Sequence, residues 1–166
     1  MNKITVFVIF VAAILLTDCS KSHNSTNHIN CDKLVTDTLG TSDTAKIYMP
    51  NAFTPNADGL NDYSFPITEN ISTIDFIIYD ENNNIVFETI QIGQGWSSAP
   101  NPNTYKKYYY KIQVTTTSNH KIGMCGELYA LKCIPSSMIM SDFRFQDQFS
   151  QNGFTLPTNE MLANCP

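Results

Sequence analysis

Four polar side chains with metal-ligand chemistry lie within one short loop, residues 50–62. They are Asn56, Asp58, Asn61 and Asp62. Oxygen ligands of this kind suit Ca²⁺, and Gly59 allows the sharp turn that such a loop needs. However, the loop holds only two carboxylates and lacks the full D-x-[DN]-x-[DN]-G-x₅-E pattern. The alternative is an Asx-rich turn, in which the same side chains accept hydrogen bonds from backbone N–H groups.

The residues around these side chains give the loop a fixed shape. Pro50 and Pro55 fix φ and cannot donate to a sheet, and Asp58-Gly59 is a tight-turn dipeptide. Phe53 is the only large apolar side chain near the start of the loop, so we expect it to attach the loop to a core. None of these residue types suggests a reaction.

The segments on either side of the loop read as strands. Apolar and polar residues alternate over short runs, with turn residues between them. The predicted strands are 46–49, 64–67, 71–79, 85–90, 105–117 and 122–134. Pro66 makes the second of them an edge or a bulge. Short strands without a strong amphipathic helix between them predict an all-β fold, either a β-sandwich or a small barrel.

The run from Ile47 to Asp62 closely resembles the opening motif of a known family. This is the gliding motility-associated C-terminal domain family, also described as the type B sorting domain of type IX secretion. Looser matches continue to Leu131, namely Ile85-Val86-Phe87, Gly95-Trp96, Tyr108-Tyr109-Tyr110 and Gly126-Glu127-Leu128. The resemblance implies an immunoglobulin-like β-sandwich of about seven strands. It also implies a partner in the secretion or motility machinery.

The N-terminus predicts export and lipid attachment. Residues 4–16 form an apolar run that is too short to span a membrane and suits a signal peptide. The sequence Leu16-Thr17-Asp18-Cys19 resembles a bacterial lipobox, in which Cys19 would carry the lipid. An ordinary secretory signal is the alternative. The predicted organisation is therefore a signal peptide (1–18), a lipid-anchored polar tether (19–44), a β-sandwich (45–134) and a C-terminal extension packed on the sandwich (135–166).

The cysteines support this interpretation. If Cys19 carries the lipid, four of the five cysteines remain, and an even set suits two disulfides in an oxidising compartment. They are Cys31, Cys125, Cys133 and Cys165. Cys125 and Cys133 lie too far apart along one strand to bond with each other. Two pairings stay open, 31–125 with 133–165 and 31–133 with 125–165. The spacing does not suit zinc, because no C-x-x-C is present.

Three further features could carry function. The triplets Asp37-Thr38-Leu39 and Asp43-Thr44-Ala45 resemble the O-glycosylation triplet of gliding bacteria, so Thr38 and Thr44 are candidate sites. Trp96 and an exposed Tyr109 could form an aromatic binding surface, although core packing is the commoner role of such residues. In the extension, Thr158 could cap a helix over residues 159–163.

Composition and motifs favour a non-catalytic protein. The charged fraction is 15% and the net charge is −5, so nothing indicates nucleic-acid binding. No G-x-S-x-G, H-E-x-x-H or phosphate loop is present, and no cofactor is required. We expect a cell-envelope or surface lipoprotein associated with type IX secretion or gliding motility, anchored in the outer membrane or at the surface. The alternatives are a calcium-stabilised adhesion module that binds surface glycans and, third, a hydrolase with two carboxylates.

Overall fold

Nine strands and two short 3₁₀ turns form the regular structure of the described residues. The computed structural model describes residues 29–98, 104–150, 152–154 and 157–166 of the 166-residue chain. The strands are β1 (Lys46–Tyr48), β2 (Ala52–Phe53), β3 (Ile67–Glu69), β4 (Ile71–Tyr79), β5 (Ile85–Thr89), β6 (Tyr105–Thr116), β7 (Lys121–Leu131), β8 (Phe149–Ser150) and β9 (Gly153–Phe154). The 3₁₀ turns are Met140–Asp142 and Gln146–Gln148. The all-β sandwich predicted from the strand spacing is confirmed.

A five-stranded sheet in the order β2-β7-β6-β4-β5 forms the larger layer. The long β6 and β7 pair antiparallel from Tyr105 opposite Leu131 to Thr115 opposite Lys121. The short β2 joins the far edge of β7 in parallel. A separate antiparallel pair, β1 with β3, brings Ile47 against the core of this sheet. The 64–67 segment differs from the prediction, because Ser64 forms only an isolated bridge to Trp96 and β3 begins at Ile67.

One face of the large sheet carries the main core. Alternation sends every second residue of each strand to the same face. The fully buried residues of this face include Phe53, Phe76, Ile78, Ile112 and Leu128. Burying a side chain of this size contributes about 1.5–3 kcal/mol. The prediction that Ile74, Phe76 and Ile78 share one face is therefore confirmed.

A second apolar cluster lies between the sheet edge and residues 135–166. Ala52 and Leu131 on the sheet contact Phe143 and Phe145, which are 1% and 0% exposed. The backbone N–H groups of Asn51 and Ala52 donate to the carbonyl of Arg144, at 3.0 and 3.3 Å. The edge beside β2 is therefore covered by the chain's own later residues, which protects it from pairing with another chain.

The structure joins Cys31 to Cys125 and Cys133 to Cys165, which is one of the two open pairings. Cys125 lies opposite Lys111 on the face of β7 that points away from the main core. The segment that starts at Cys31 crosses that face, and Leu34 passes so close to Gly123 that a Cβ there would lie 2.6 Å from the Leu34 Cβ. Glycine is therefore needed at this crossing.

The turn between β4 and β5 is rich in Asn and includes a residue in the left-handed region. Asn83 has a φ of 62°, which Asn adopts more readily than most residues. Asp80 accepts the backbone N–H groups of Asn82 and Asn84, each at 2.9 Å. The side-chain amide of Asn84 donates to the second Asp80 oxygen at 3.0 Å. These hydrogen bonds lower the pKa of Asp80, with the Asn84 side chain as the largest cause.

Two predictions about single segments are wrong. Residues 159–163 form no helix, so Thr158 caps none there. Its hydroxyl instead donates to Asp147, at 3.0 Å. Tyr109 is 7% exposed rather than open to solvent, because β6 lies between two other strands and Lys107 covers the ring at 5.1 Å from its centroid.

Candidate functional site

The loop at residues 50–62 folds back on itself next to the end of β7. The N–H of Thr54 donates to the carbonyl of Asn61 at 2.8 Å and closes the loop. Ala57, Gly59 and Asn61 all have positive φ, at 63°, 92° and 51°. Residues 56–59 are exposed, whereas Phe53 is fully buried and packs 5.6 Å from the Trp96 ring, centroid to centroid. The predicted role of Phe53, attaching the loop to the core, is confirmed.

Asp62 accepts hydrogen bonds from three backbone N–H groups of the loop. Its Oδ1 accepts from Asn56 at 3.2 Å and from Ala57 at 2.6 Å, and its Oδ2 accepts from Gly59 at 2.7 Å. All three hydrogen bonds come from backbone N–H groups within six residues of Asp62. This side chain therefore fixes the exposed tip of the loop from within.

Asp58 and Asn56 also accept hydrogen bonds within the loop, both from backbone N–H groups and from each other. Asp58 Oδ1 accepts the N–H of Leu60 at 2.8 Å, and its Oδ2 accepts the side-chain amide of Asn56 at 2.8 Å. Asn56 Oδ1 accepts the N–H of Asp58 at 3.0 Å. This is the geometry of the Asx-turn interpretation. In the part of the chain that the structure describes, no group of three or more His, Cys, Asp and Glu side chains is placed to hold a metal. The calcium site stays a prediction.

Asn61 does not join the other three side chains. It is 7% exposed and points toward the C-terminal segment. Its Nδ2 donates to Glu160 Oε2 at 3.2 Å, and its Oδ1 accepts the N–H of Asp147 at 3.0 Å. Thr54 Oγ1 donates to the same Glu160 oxygen at 2.7 Å. No local pattern indicates a role for Glu160, because these contacts join positions about a hundred residues apart.

A cavity of about 530 Å³ lies beside this contact. It is bounded by the 50–62 loop, the end of β7 and the segment 157–166. Its walls include Pro55, Leu60, Leu131, Lys132 and Leu162. Pockets of this size, with mostly apolar walls and a few polar groups, are typical of small-molecule sites.

The structure does not bring Trp96 and Tyr109 together into one surface. Trp96 is half-buried and packs on the main core, with its ring 4.8 Å from that of Tyr108. Tyr109 faces the opposite side of the sheet, beside Lys107 and Glu127. Neighbouring positions on a strand face opposite ways, so Tyr109 cannot lie on the side where Trp96 packs against Tyr108. The aromatic binding surface predicted from Trp96 and Tyr109 is therefore not formed.

Thr38 and Thr44 are both exposed on the N-terminal segment. The Asp37 carboxylate accepts the N–H of Lys121 at 2.7 Å. Asp43 forms a 2.9 Å contact with His120 Nδ1 and accepts the N–H of Ala45 at 3.0 Å, and its pKa is lowered chiefly by that backbone hydrogen bond. Glycosylation of the two threonines stays a prediction.

The predicted lipid attachment at Cys19 lies outside the described residues, as does the signal peptide. Of the five cysteines in the sequence, the two disulfides use the other four. Within the described ranges, no helix is both long enough and apolar enough to cross a membrane.

Comparison with known families gives a match over the sandwich. Residues 47–128 match the family described as CHU_C, the type IX secretion signal domain. No curated protein and no solved structure matches the chain. The matched residues begin in β1 and end within β7, so they include the whole 50–62 loop and the strands that support it. Residues 47–128 of this chain therefore form a type IX secretion signal domain of the CHU_C family.

Proposed function

We propose that this chain is a non-catalytic lipoprotein of the bacterial envelope, and that the type IX secretion machinery recognises the exposed tip of its 50–62 loop. The family match carries the proposal, because it makes the domain a type IX secretion-related module and points to an exported, envelope or surface protein. The non-catalytic role, the lipid anchor and the loop as the recognised surface are the parts that need a test.

The hydrogen bonding of the loop supports recognition at its tip. Asp62 and Asp58 hold the tip in one conformation, while residues 56–59 stay exposed. A partner that binds a preformed surface loses less conformational entropy than one that must order a flexible segment. The loop is thus suited to binding as it stands.

The same hydrogen bonds argue for a non-catalytic role. Asp62 directs both of its oxygens to backbone N–H groups, and Asp58 does the same with one oxygen and uses the other for the Asn56 amide. These carboxylates therefore serve the shape of the loop.

The disulfide pairing supports the lipid anchor. Because Cys31, Cys125, Cys133 and Cys165 pair among themselves, Cys19 is the cysteine that these bonds do not use. Cys19 also stands at the position of the lipobox-like run where the lipid would be attached.

The first experiment tests recognition of the loop by surface display in the native cells. Asp58→Ala removes a turn-capping carboxylate from the loop, and the matched control Asp80→Ala removes one from the turn between β4 and β5. We expect Asp58→Ala to reduce display at the cell surface, while Asp80→Ala is displayed like the wild type. Equal display of both variants, each folded, would contradict recognition at the loop.

The intact mass of the native protein tests the anchor. We expect a mass that begins at an acylated Cys19 and gains four hydrogens on reduction, since two disulfides open. A mass without lipid that starts elsewhere near the signal peptide would refute the anchored form. It would leave recognition of the loop intact.

A further inference from the structure

The segment 157–166 lies in a groove beside the 50–62 loop. Its backbone pairs with Ile134, which donates to the carbonyl of Ala163 at 2.8 Å and accepts the N–H of Cys165 at 2.8 Å. Leu162 packs on the second apolar cluster, and the Cys133–Cys165 disulfide closes the far end. The segment is bound much as a separate peptide would be, through a short strand pairing and two side-chain anchors.

Glu160 is the polar anchor of this segment. Its side chain is 8% exposed, and one of its oxygens accepts hydrogen bonds from Thr54 Oγ1 at 2.7 Å and Asn61 Nδ2 at 3.2 Å. Both donors belong to the 50–62 loop. Hydrogen bonds to a charged group are stronger than neutral ones, so this pair of donors selects a carboxylate.

Thr54 and Asn61 have other hydrogen-bond acceptors when the Glu160 carboxylate leaves. Thr54 Oγ1 also lies 3.2 Å from the carbonyl of Leu60, which offers the hydroxyl an alternative acceptor. Glu160 lines the neighbouring cavity, so water can enter the position that its carboxylate leaves and reach the Asn61 amide. The groove can therefore exist empty without a large penalty for unsatisfied buried polar groups.

The bound segment does not fill the groove. A volume of about 530 Å³ remains beside it, with Leu60 and Leu131 in the wall, and Met161 of the segment is 94% exposed. Lys132 also lines this space and adds a positive charge at the wall. The space would accept apolar side chains from a peptide that continues past the carboxylate.

We propose that this groove is a docking site for an extended peptide that presents a carboxylate to Thr54 and Asn61 and an apolar side chain two residues later. Residues 157–166, with Glu160 and Leu162 in that spacing, occupy the groove in cis as a tethered competitor. The occupant of the groove in trans is a peptide of the same pattern from a partner protein. The contacts alone carry this inference. Its relevance to secretion rests on the proposed function, because the groove is built from the loop.

The test is a binding titration with the full-length protein. The probe is a fluorescent peptide with the sequence of residues 157–166 and the change Cys165→Ser. The proteins are the wild type and the double variant Cys133→Ser/Cys165→Ser, in which the segment can dissociate. We expect the double variant to bind the peptide at least about tenfold more tightly than the wild type, because without the disulfide the segment is held only by the chain that follows residue 133, and this longer tether lowers its effective concentration at the groove.

A second peptide tests the chemistry of the anchor. The probe that also carries Glu160→Gln should bind the double variant about tenfold more weakly, since it loses a charged acceptor. The matched control peptide carries Met161→Ala and should bind like the first probe, because Met161 is exposed. Equal binding to wild type and double variant, equal binding of the Gln peptide, or no binding to the double variant would each overturn the proposal.

If the double variant fails to fold, the disulfide-bonded Glu160→Ala variant serves instead. We expect hydrogen exchange at Thr54 and across residues 158–165 to accelerate in this variant, and unchanged exchange would overturn the proposal. This inference and the proposed function fail separately. Loss of peptide binding with normal loop-dependent surface display refutes the docking site alone, whereas peptide binding with display that ignores the loop refutes the proposed function alone.

Discussion

Removing the two disulfides one at a time should lower the free energy of unfolding by two different amounts. A disulfide lowers the entropy of the unfolded chain, and the effect grows with the number of residues in the closed loop. The Cys31–Cys125 bond has a sequence separation of 94, and the Cys133–Cys165 bond one of 32. At 25 °C these separations correspond to about 4.6 and about 3.7 kcal/mol. The variant Cys31→Ser/Cys125→Ser should therefore be the less stable one.

Urea unfolding monitored by Trp96 fluorescence is the assay. Trp96 is the chain's single tryptophan and packs on the main core, so its signal reports the sandwich. At an m-value of about 2 kcal/mol/M, removal of Cys31–Cys125 should lower the urea midpoint by about 2.3 M. Removal of Cys133–Cys165 should lower it by about 1.8 M at most. The shift will be smaller if the segment after Cys133 unfolds before the sandwich.

The order of the two urea-midpoint shifts tests the loop-entropy reasoning. A larger shift for Cys133→Ser/Cys165→Ser would refute the loop-entropy reasoning, and would mean that the C-terminal segment stabilises the sandwich more than the N-terminal disulfide does. The reduced wild type is the matched control, because it lacks both bonds and keeps every side-chain volume. It should unfold at a lower urea concentration than either variant.

Three further changes should have measurable effects. Phe53→Ala should cost about 3–5 kcal/mol in urea unfolding, whereas Met161→Ala, at a 94% exposed position, should cost less than about 0.5 kcal/mol; similar losses would contradict the role of Phe53 as the anchor of the loop. Asp62→Ala should accelerate hydrogen exchange by about tenfold at the loop N–H groups that donate to Asp62. Unchanged exchange would show that the loop keeps its conformation without the carboxylate. The hydrogen bond from the Ala45 N–H lowers the pKa of Asp43 in the folded protein. The ionised Asp43 carboxylate therefore stabilises the fold at a pH above its unfolded-state pKa, and this stabilisation is lost as the pH falls through its folded-state pKa. The urea midpoint of Asp43→Asn should therefore fall less than that of the wild type between about pH 6 and about pH 3.

The strands could be predicted because alternation is a local property. The segment 71–79 was predicted from its own residues, and β4 has these bounds. Similarly, the choice of Asp, Asn and Gly in the 50–62 loop indicates an Asx-rich turn, and Asp62 and Asp58 cap it. In each case the physical cause lies within a few residues of the effect.

Features that depend on the rest of the chain could not be predicted in this way. Alternation places Tyr109 on the outer face of β6, but it does not say that Lys107 and the flanking strands cover it. Residues 159–163 have helix-compatible residues, yet they form no helix, and Glu160 instead contacts Thr54 and Asn61 of the distant 50–62 loop. The choice between two disulfide pairings depended on which face of β7 the N-terminal segment crosses.

The two disulfides also determine how the domain would respond to a pulling force. All of β1 to β6 lies inside the covalent loop that Cys31–Cys125 closes, and residues 134–164 lie inside the loop closed by Cys133–Cys165. A force applied between Cys31 and Cys165 therefore travels only through the stretch from Cys125 to Cys133. That stretch is already largely extended, because most of it belongs to β7, and a strand rises about 3.4 Å per residue. While both bonds are intact, such a force can lengthen the molecule very little and leaves the 50–62 loop free of tension.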